Sequence, residues 1–515
     1  MSNQTLDNNK RIAKNTLLLY LRMIVTMAIS LYTSRVILQA LGINDYGIYN
    51  VVGGVVTMFS MLSGSLSAAI SRYITFELGK GDEEKLKIVF STSVNIQIIL
   101  SILTIILAET VGLWFLNSKM VIPMDRMVAA NWVYQLSLLT FVVNLVSIPY
   151  NAVIVAHERM KAFAYISILE AIGKMGISFL IIVMPFDRLI TYAVFLAAIA
   201  IVIRIVYGMY CNRNFAECSY RFSTDRIMLK EMFGFAGWNF IGATSGVLKD
   251  QGGNVLLNIF FGPAVNAARG IAQQVHNSLL AFANNFIMAL NPQITKSYAA
   301  GDKEYFMTLL FQGSRFSYYL FFIVSLPILV NTDYILHLWL GKVPEYAVVF
   351  LRLTLILEMS DIISTPLITA MLATGDIKKY QIVVGGIQLL NIPVAYIFFK
   401  LGFSPESLIV VSIVVSQMCL FSRLYMLQPM IGLPFWGFLK NVYINVIAVS
   451  LAGGMFPILL SLFFTQSFVN FIVLCLMSIA CSMIAIAYIG CEKKERQLAY
   501  TKITNIKEKI FSKYD

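Results

Sequence analysis

Four basic residues, Arg22, Arg35, Lys249 and Arg269, stand inside long apolar stretches of this 515-residue chain. A charge placed in hydrocarbon costs about 2.5 to 3.5 kcal/mol on insertion scales unless it faces protein or water. Arg269 also heads a run of polar side chains, Gln273, Asn277, Asn284 and Asn291, at helical spacing, with His276 beside them. A second run, Asp250, Asn254 and Asn258, is spaced by four. Polar faces of this kind line something wet, and a cavity with more cations than anions suits an anionic passenger. The binding set read from the sequence is therefore Arg22, Arg35, Lys249, Arg269, Gln273, Asn277, Asn254 and Asn284. Three acids, Asp250, Glu358 and Asp361, are candidates for coupling to a proton or sodium ion. Glu358 and Asp361, one turn apart, read equally well as structural partners of a nearby arginine.

Other intramembrane charges have a simpler reading. Arg72, Arg204 and Arg315 lie near one end of their apolar stretches and Arg352 near the other, so each can snorkel. Lys174 follows Glu170 by four residues, which suits a pair on one helix face. No Cys-x-x-Cys or His-Cys cluster offers a metal site, and no catalytic constellation or cofactor motif is present.

The elements that position these residues must be membrane helices. Hydrophobic residues make up 58% of the chain and charged residues 13%, too few charges for the surface of a soluble protein this long. The apolar blocks are long enough to cross a hydrocarbon core of about 30 Å. Spans are expected at 16–41, 46–70, 88–115, 127–156, 162–184, 189–210 and 233–261. The others are expected at 265–290, 306–330, 347–372, 380–399, 408–427, 438–464 and 468–489. The fold class is thus an all-α polytopic membrane protein of about fourteen helices. One set of alternating loops, with both tails, holds about 25 Lys and Arg, and the other about 5, which places both termini in the cytosol. The net charge of +12 reflects this topology and not a nucleic-acid partner.

The two halves repeat. In one ungapped register Gly42 falls on Gly262, Ala69 on Ala289, Thr75 on Thr295, and Gly81, Asp82 and Glu84 on Gly301, Asp302 and Glu304. A slightly shorter shift pairs Ser147 with Ser364, Pro149 with Pro366 and Lys161 with Lys378. Six spans separate the copies, so both have one orientation. The expected organisation is an N-terminal lobe (1–215), a C-terminal lobe (216–430), two further helices (431–490) and a cytosolic tail (491–515). Two such lobes suit alternating access around a central cavity. The repeat carries the stripe of the eighth span onto Gly53, Thr57, Gly64 and Ser71 of the second, where tight helix packing reads as well as a cavity.

The stretch "NVLLNIFFGPAVNAARGIAQQVHNSLLAFANNFIMALNPQITKSYAAGD" resembles the polysaccharide-transport branch of the multidrug/oligosaccharidyl-lipid/polysaccharide (MOP) exporter superfamily. "SRVILQALGINDYGIYNVVGGV" and "ISRYITFELGKGD" are similar to the first two helices of that family. The resemblance implies a MATE-like fold of two six-helix lobes plus two C-terminal helices, and an O-antigen flippase (Wzx) type of activity. The implied cargo is an undecaprenyl-pyrophosphate-linked oligosaccharide, an O-antigen or capsule repeat unit, moved across the bacterial plasma membrane. Implied partners are membrane lipid and the glycan polymerase and glycosyltransferases of the same pathway. The family has no catalytic motif, so the cationic positions rest on this chain alone. Two alternatives are a cation-coupled multidrug exporter, for which an acidic or aromatic cavity is expected, and a membrane glycan polymerase or ligase, which would need a larger outer loop.

Overall fold

The computed structural model describes residues 3–59, 70, 73–74, 77–78, 82–157, 159–220, 244–374, 378–465, 467–492 and 495–497. Regular structure among them is helical throughout. In chain order the helices are α1 (Asn3–Thr57), α2 (Glu83–Leu107), α3 (Met127–Ala156), α4 (Met160–Val183) and α5 (Arg188–Asn214). Then come α6 (Gly253–Phe261), α7 (Pro263–Ala299), α8 (Lys303–Val330), α9 (Thr332–Leu340), α10 (Ala347–Ile362) and α11 (Thr365–Thr374). The last are α12 (Lys378–Leu389), α13 (Asn391–Lys400), α14 (Ser407–Ile431), α15 (Asn445–Ser461) and α16 (Phe468–Ala485). Among the described residues ten helical stretches are long and apolar enough to cross a membrane. α7 falls outside that group because it carries the polar stripe. Arg72, Gly64, Ser71, the loops at Gly81 and Gly375, and the start of the seventh span lie outside the described residues.

Two departures from the expected spans have a cause in the chain. The tenth span is broken after Ile362, and α11 restarts at Thr365. Pro366 follows at once; it lacks an N–H, and in the first turn of α11 that loss leaves no helical hydrogen bond unmade. The eleventh has only a one-residue irregularity at Leu390, between α12 and α13, with Pro393 in the first turn of α13, and still forms one span, Lys378–Lys400.

The repeat is visible in the backbone. The chain turns out of helix at Gly42 with φ 78° and ψ 171°, and at Gly262 with φ 80° and ψ −179°. Both turns need the left-handed region, where a side chain is strained. The matched acids act alike: Asp82 accepts from the Lys85 N–H and Asp302 from the Tyr305 N–H, each at 3.1 Å, capping α2 and α8.

The helices fall into two compact units. One comprises the chain through Val275 with Trp339–Phe350 and Gln381–Val411; the other comprises His276–Leu338, Leu351–Tyr380 and the chain from Ser412. In the first unit, Ile48, Val51, Val52 and Val55 of α1 pack with Ala130 and Val133 of α3 and Leu189 of α5. Arg126 bonds Asp45 at 2.9 Å and Asp187 at 2.5 Å, tying α1 just past the Gly42 turn to the start of α5. Burial pushes the Asp187 carboxyl up, but hydrogen bonds from Arg126 and the Ile190 and Leu189 N–H groups outweigh it and hold it below its ordinary value.

In the second unit α15 and α16 pack on each other and on α8. Close approach rests on small residues, as expected where lipid removes the hydrophobic drive between helices. A Cβ on Gly453 would stand 3.2 Å from the Phe322 ring and 3.3 Å from Ser482. Arg315 of α8 does not snorkel. It is 3% exposed and bonds Glu495 at 2.6 Å, because the chain after α16 folds back and supplies the acid.

Candidate functional site: a polar cavity around Arg22

The first unit forms a half-open cavity of about 600 Å³ between α1, α4, α5 and the first turns of α7. On α1 the lining positions Arg22, Thr26, Ser30, Thr33 and Ile37 follow helical spacing, so one face of the helix looks into it. Beyond the Gly42 turn the same chain returns with Tyr46, Tyr49 and Asn50. α4 adds Ser167, Glu170 and Lys174, α5 adds Tyr192, and α7 adds Gln274. Hydroxyls, amides and tyrosine rings dominate this wall.

Arg22 is the cation here without an acid. Its guanidinium lies 4.7 Å from the centre of the Phe163 ring, and one terminal nitrogen donates to Ser167 Oγ at 3.4 Å. The buried Nε has no hydrogen-bond partner among the described residues. A guanidinium carries five N–H donors, so most of its capacity is unused. Lys174 and Glu170 also face the cavity but pair with each other at 2.6 Å. The pair expected from spacing is present, and it leaves the cavity with one net positive charge.

The other expected residues are placed elsewhere. Arg35 and Lys249 are half-buried, Lys249 within a π-helical turn, Leu248–Gly252, that also holds the exposed Asp250. Arg269 lies against α6 and donates to the Asp250 carbonyl at 2.9 Å, with its other terminal nitrogen, Nη1, buried and unbonded. Gly253 makes room: a Cβ there would stand 2.9 Å from that nitrogen. Asn254 accepts from Asn266 at 2.7 Å, and the fully buried Asn258 holds the Val121 backbone through both its amide atoms. Asn258 therefore fastens two segments together instead of facing a wet space. Gln273 is half-buried, and Asn277 and Asn284 are exposed. Gln274, one position beyond Gln273, is the glutamine that lines the cavity, and it donates to Ser30 Oγ at 2.7 Å.

The second unit holds Glu358 and Asp361. Glu358 pairs with His276 of α7 at 2.8 Å. One turn on, Asp361 accepts from Ser416 Oγ at 2.5 Å, and a chain of bonds continues through Ser360 and Gln417 to Tyr443. Glu358 thus pairs with a histidine, and Asp361 accepts from a serine.

A model of the polysaccharide biosynthesis protein family matches residues 12–298, more than half of the chain. The chain belongs to that family. A second model, MatE, matches residues 254–397. Among solved structures, lipid II flippase MurJ in an inward closed conformation is similar at TM-score 0.62 and 12% identity, over 92% of this chain and 98% of that one. An inward-facing multidrug resistance MATE family transporter of the MOP superfamily is similar at TM-score 0.63 and 14% identity, over 80% and 98%. A MOP superfamily transporter from Pyrococcus furiosus, described as having a binding pocket of reverse polarity, gives TM-score 0.58 and 13% identity, over 81% and 96%. These likenesses show the fold: this family member is a multi-pass, all-helical membrane protein of the MurJ and MATE kind. No curated protein sequence matches the chain.

Proposed function

We propose that the protein is a flippase that carries a polyprenyl-pyrophosphate-linked oligosaccharide across a bacterial plasma membrane by alternating access. The observation that carries this reading is Arg22, an unpaired cation with an unbonded Nε in a polar cavity of about 600 Å³. A pyrophosphate head carries roughly two negative charges and cannot cross hydrocarbon unpaired. Arg22 offers it a bidentate contact, and Lys174 offers a second charge if Glu170 releases it. The hydroxyls of Thr26, Ser30 and Ser34, with Asn50 and Gln274, supply the partners that sugars need. The polyprenyl tail stays in lipid throughout.

In this reading Arg35, Lys249 and Arg269, with Gln273, Asn254, Asn277 and Asn284, guide the head along the rest of its path. The lobes are residues 1–215 and 216–430, and both termini are cytosolic. The glycan is an O-antigen or capsule repeat unit, delivered by glycosyltransferases and passed to a polymerase. Restoration of surface glycan in a flippase-deficient strain tests this: Arg22→Ala should abolish it at normal membrane abundance, and full restoration would overturn the reading.

One observation favours a second reading, a cation-coupled exporter: the His276–Glu358 pair and the hydroxyl chain at Asp361 are groups able to take up a proton or sodium ion. Transport of a cationic dye that is lost in Glu358→Gln would support it.

A further inference from the structure

Beside the Arg22 cavity lies a chamber of about 170 Å³, between the stretch of α1 beyond Gly42, α3 and α5. Tyr49 and Leu196 line both spaces, and the Tyr49 ring meets Tyr192 edge-on with ring centres 5.0 Å apart. Ser137, Thr140 and Asn144 of α3, spaced by three and four, line one side. Asn144 is exposed near the middle of α3, at a depth where hydrocarbon has no partner for an amide. Among the described residues, neither the Asn144 amide nor the Ser137 hydroxyl has a hydrogen-bond partner. Thr57 and Thr140 donate to carbonyls of their own helices at 2.8 Å each, which leaves their oxygens able to accept from a guest.

Gly53 decides between the two readings of the small-residue stripe on the second span. A Cβ built on it meets nothing within 4 Å, so this glycine serves no helix contact and instead leaves room in the chamber that it lines. Its neighbour Gly54 does pack: a Cβ there would stand 2.6 Å from the Gln251 side chain. The rest of the chamber, with Val56, Leu136, Phe141 and Ala193, is apolar. A sugar ring has the same two characters, a C–H face that packs on apolar and aromatic side chains and an edge of hydroxyls that needs a few placed polar groups. The volume equals about six waters at about 30 Å³ each, room for one ring. None of the described lining residues is charged, so a carboxylate brought there would be buried without a partner.

We infer that this chamber seats the sugar joined to the pyrophosphate, and that this sugar is uncharged. The assignment rests on the flippase reading and adds which part of the cargo is read. Arg22 holds the phosphates, and the chamber holds the first ring.

Flipping of three lipids in proteoliposomes tests this: polyprenyl pyrophosphate without sugar, the same lipid bearing one neutral hexose, and the same lipid bearing one hexuronic acid. Wild type should move the hexose lipid at least tenfold faster than the hexuronic acid lipid. Gly53→Leu places a side chain in the open space, and leucine is the better helix former, so the variant should keep its melting temperature. It should slow the hexose lipid at least tenfold more than the sugar-free lipid. Asn144→Lys should speed the hexuronic acid lipid several-fold by giving its carboxylate a partner, a gain that misfolding cannot produce. A Gly53→Leu variant that slows the hexose and sugar-free lipids equally, or neither, would overturn the chamber while the flippase reading stands. Equal rates for the hexose and hexuronic acid lipids in wild type would overturn the selection for a neutral ring. If wild type moves none of the three, the flippase reading fails and the chamber with it.

Discussion

A Cβ placed on Gly47 would stand 1.8 Å from the carbonyl oxygen of Pro263. The second span of the chain therefore touches the first turn of the eighth with nothing between the backbones. The contact continues along the two helices, with Asn50 against Gly270, and Gly54 one turn on meets Gln251 of the seventh span. It begins just past the paired turns at Gly42 and Gly262, so duplicated elements meet at their own breaks. An alternating-access cycle must part this contact. Gly47→Ala cannot be accommodated while it is closed, and should shift the protein toward the open form. A cysteine at Val265, buried in this structure, should then react several-fold faster with an impermeant maleimide in the Gly47→Ala background. An unchanged rate would show that the contact does not gate.

The Arg22 cavity predicts graded losses. Arg22→Ala should lower flipping at least tenfold, and Arg22→Lys should restore part of it, because an ammonium lacks the planar fork. Thr26→Val and Ser30→Ala should each cost less, about threefold, since one hydrogen bond is worth roughly 0.5–1.5 kcal/mol. Initial rates in proteoliposomes with equal protein per vesicle measure this. Equal rates for Arg22→Ala and wild type would remove the site.

Stability separates the two acids that reach Arg315. Glu495 is buried beside it, whereas Glu492 is 3.4 Å away and its side chain is 65% exposed. Removing one partner of a buried pair costs about 3 to 5 kcal/mol, against about 0 to 1 for an exposed one. Glu495→Ala should therefore lower the melting temperature in detergent far more than Glu492→Ala. Equal shifts would mean that the buried pair contributes no more than the surface one.

Acid should loosen the Arg126 cluster. The Asp187 carboxyl is held below its ordinary value in the folded protein, so its contribution is present above about pH 4, the unfolded value, and fades as pH falls through the folded one. Wild type should lose thermal stability over that window more steeply than Asp187→Asn. Parallel pH profiles would contradict the assignment.

Most of the helix boundaries were legible in the sequence, because a membrane helix leaves long apolar runs between charged ends. The repeat was legible too, since Gly42 and Gly262, and Asp82 and Asp302, occupy backbone positions that few residues satisfy. The break after Ile362 escaped notice because Pro366 follows a span that stays apolar on both sides. Arg22 could be picked out because a lone arginine in hydrocarbon has few excuses. Gln274 could not be told from Gln273: adjacent positions differ by a rotation of the helix that only tertiary packing fixes. Asn258 was misread for the opposite reason, because a buried asparagine serving a distant backbone has the same spacing as one facing water. Arg315 was misread because its partner Glu495 lies far along the chain, in a segment whose fold-back has no local signal.

The central claim is that an anionic head crosses through the Arg22 cavity. Over a full cycle the protein returns to its starting state, so the charge moved outward is that of the cargo, roughly two negative charges. With the cytosol negative, that movement is favoured by about 2.3 kcal/mol per charge per 100 mV, or roughly 4 to 5 kcal/mol in total. The most direct measurement is flipping of a polyprenyl-pyrophosphate-linked sugar in proteoliposomes under a potassium-valinomycin potential, with no proton or sodium gradient. The account predicts flipping that rises with an inside-negative potential, persists in Glu358→Gln and falls at least tenfold in Arg22→Ala. Flipping that ignores the potential, follows an ion gradient and survives Arg22→Ala would contradict it.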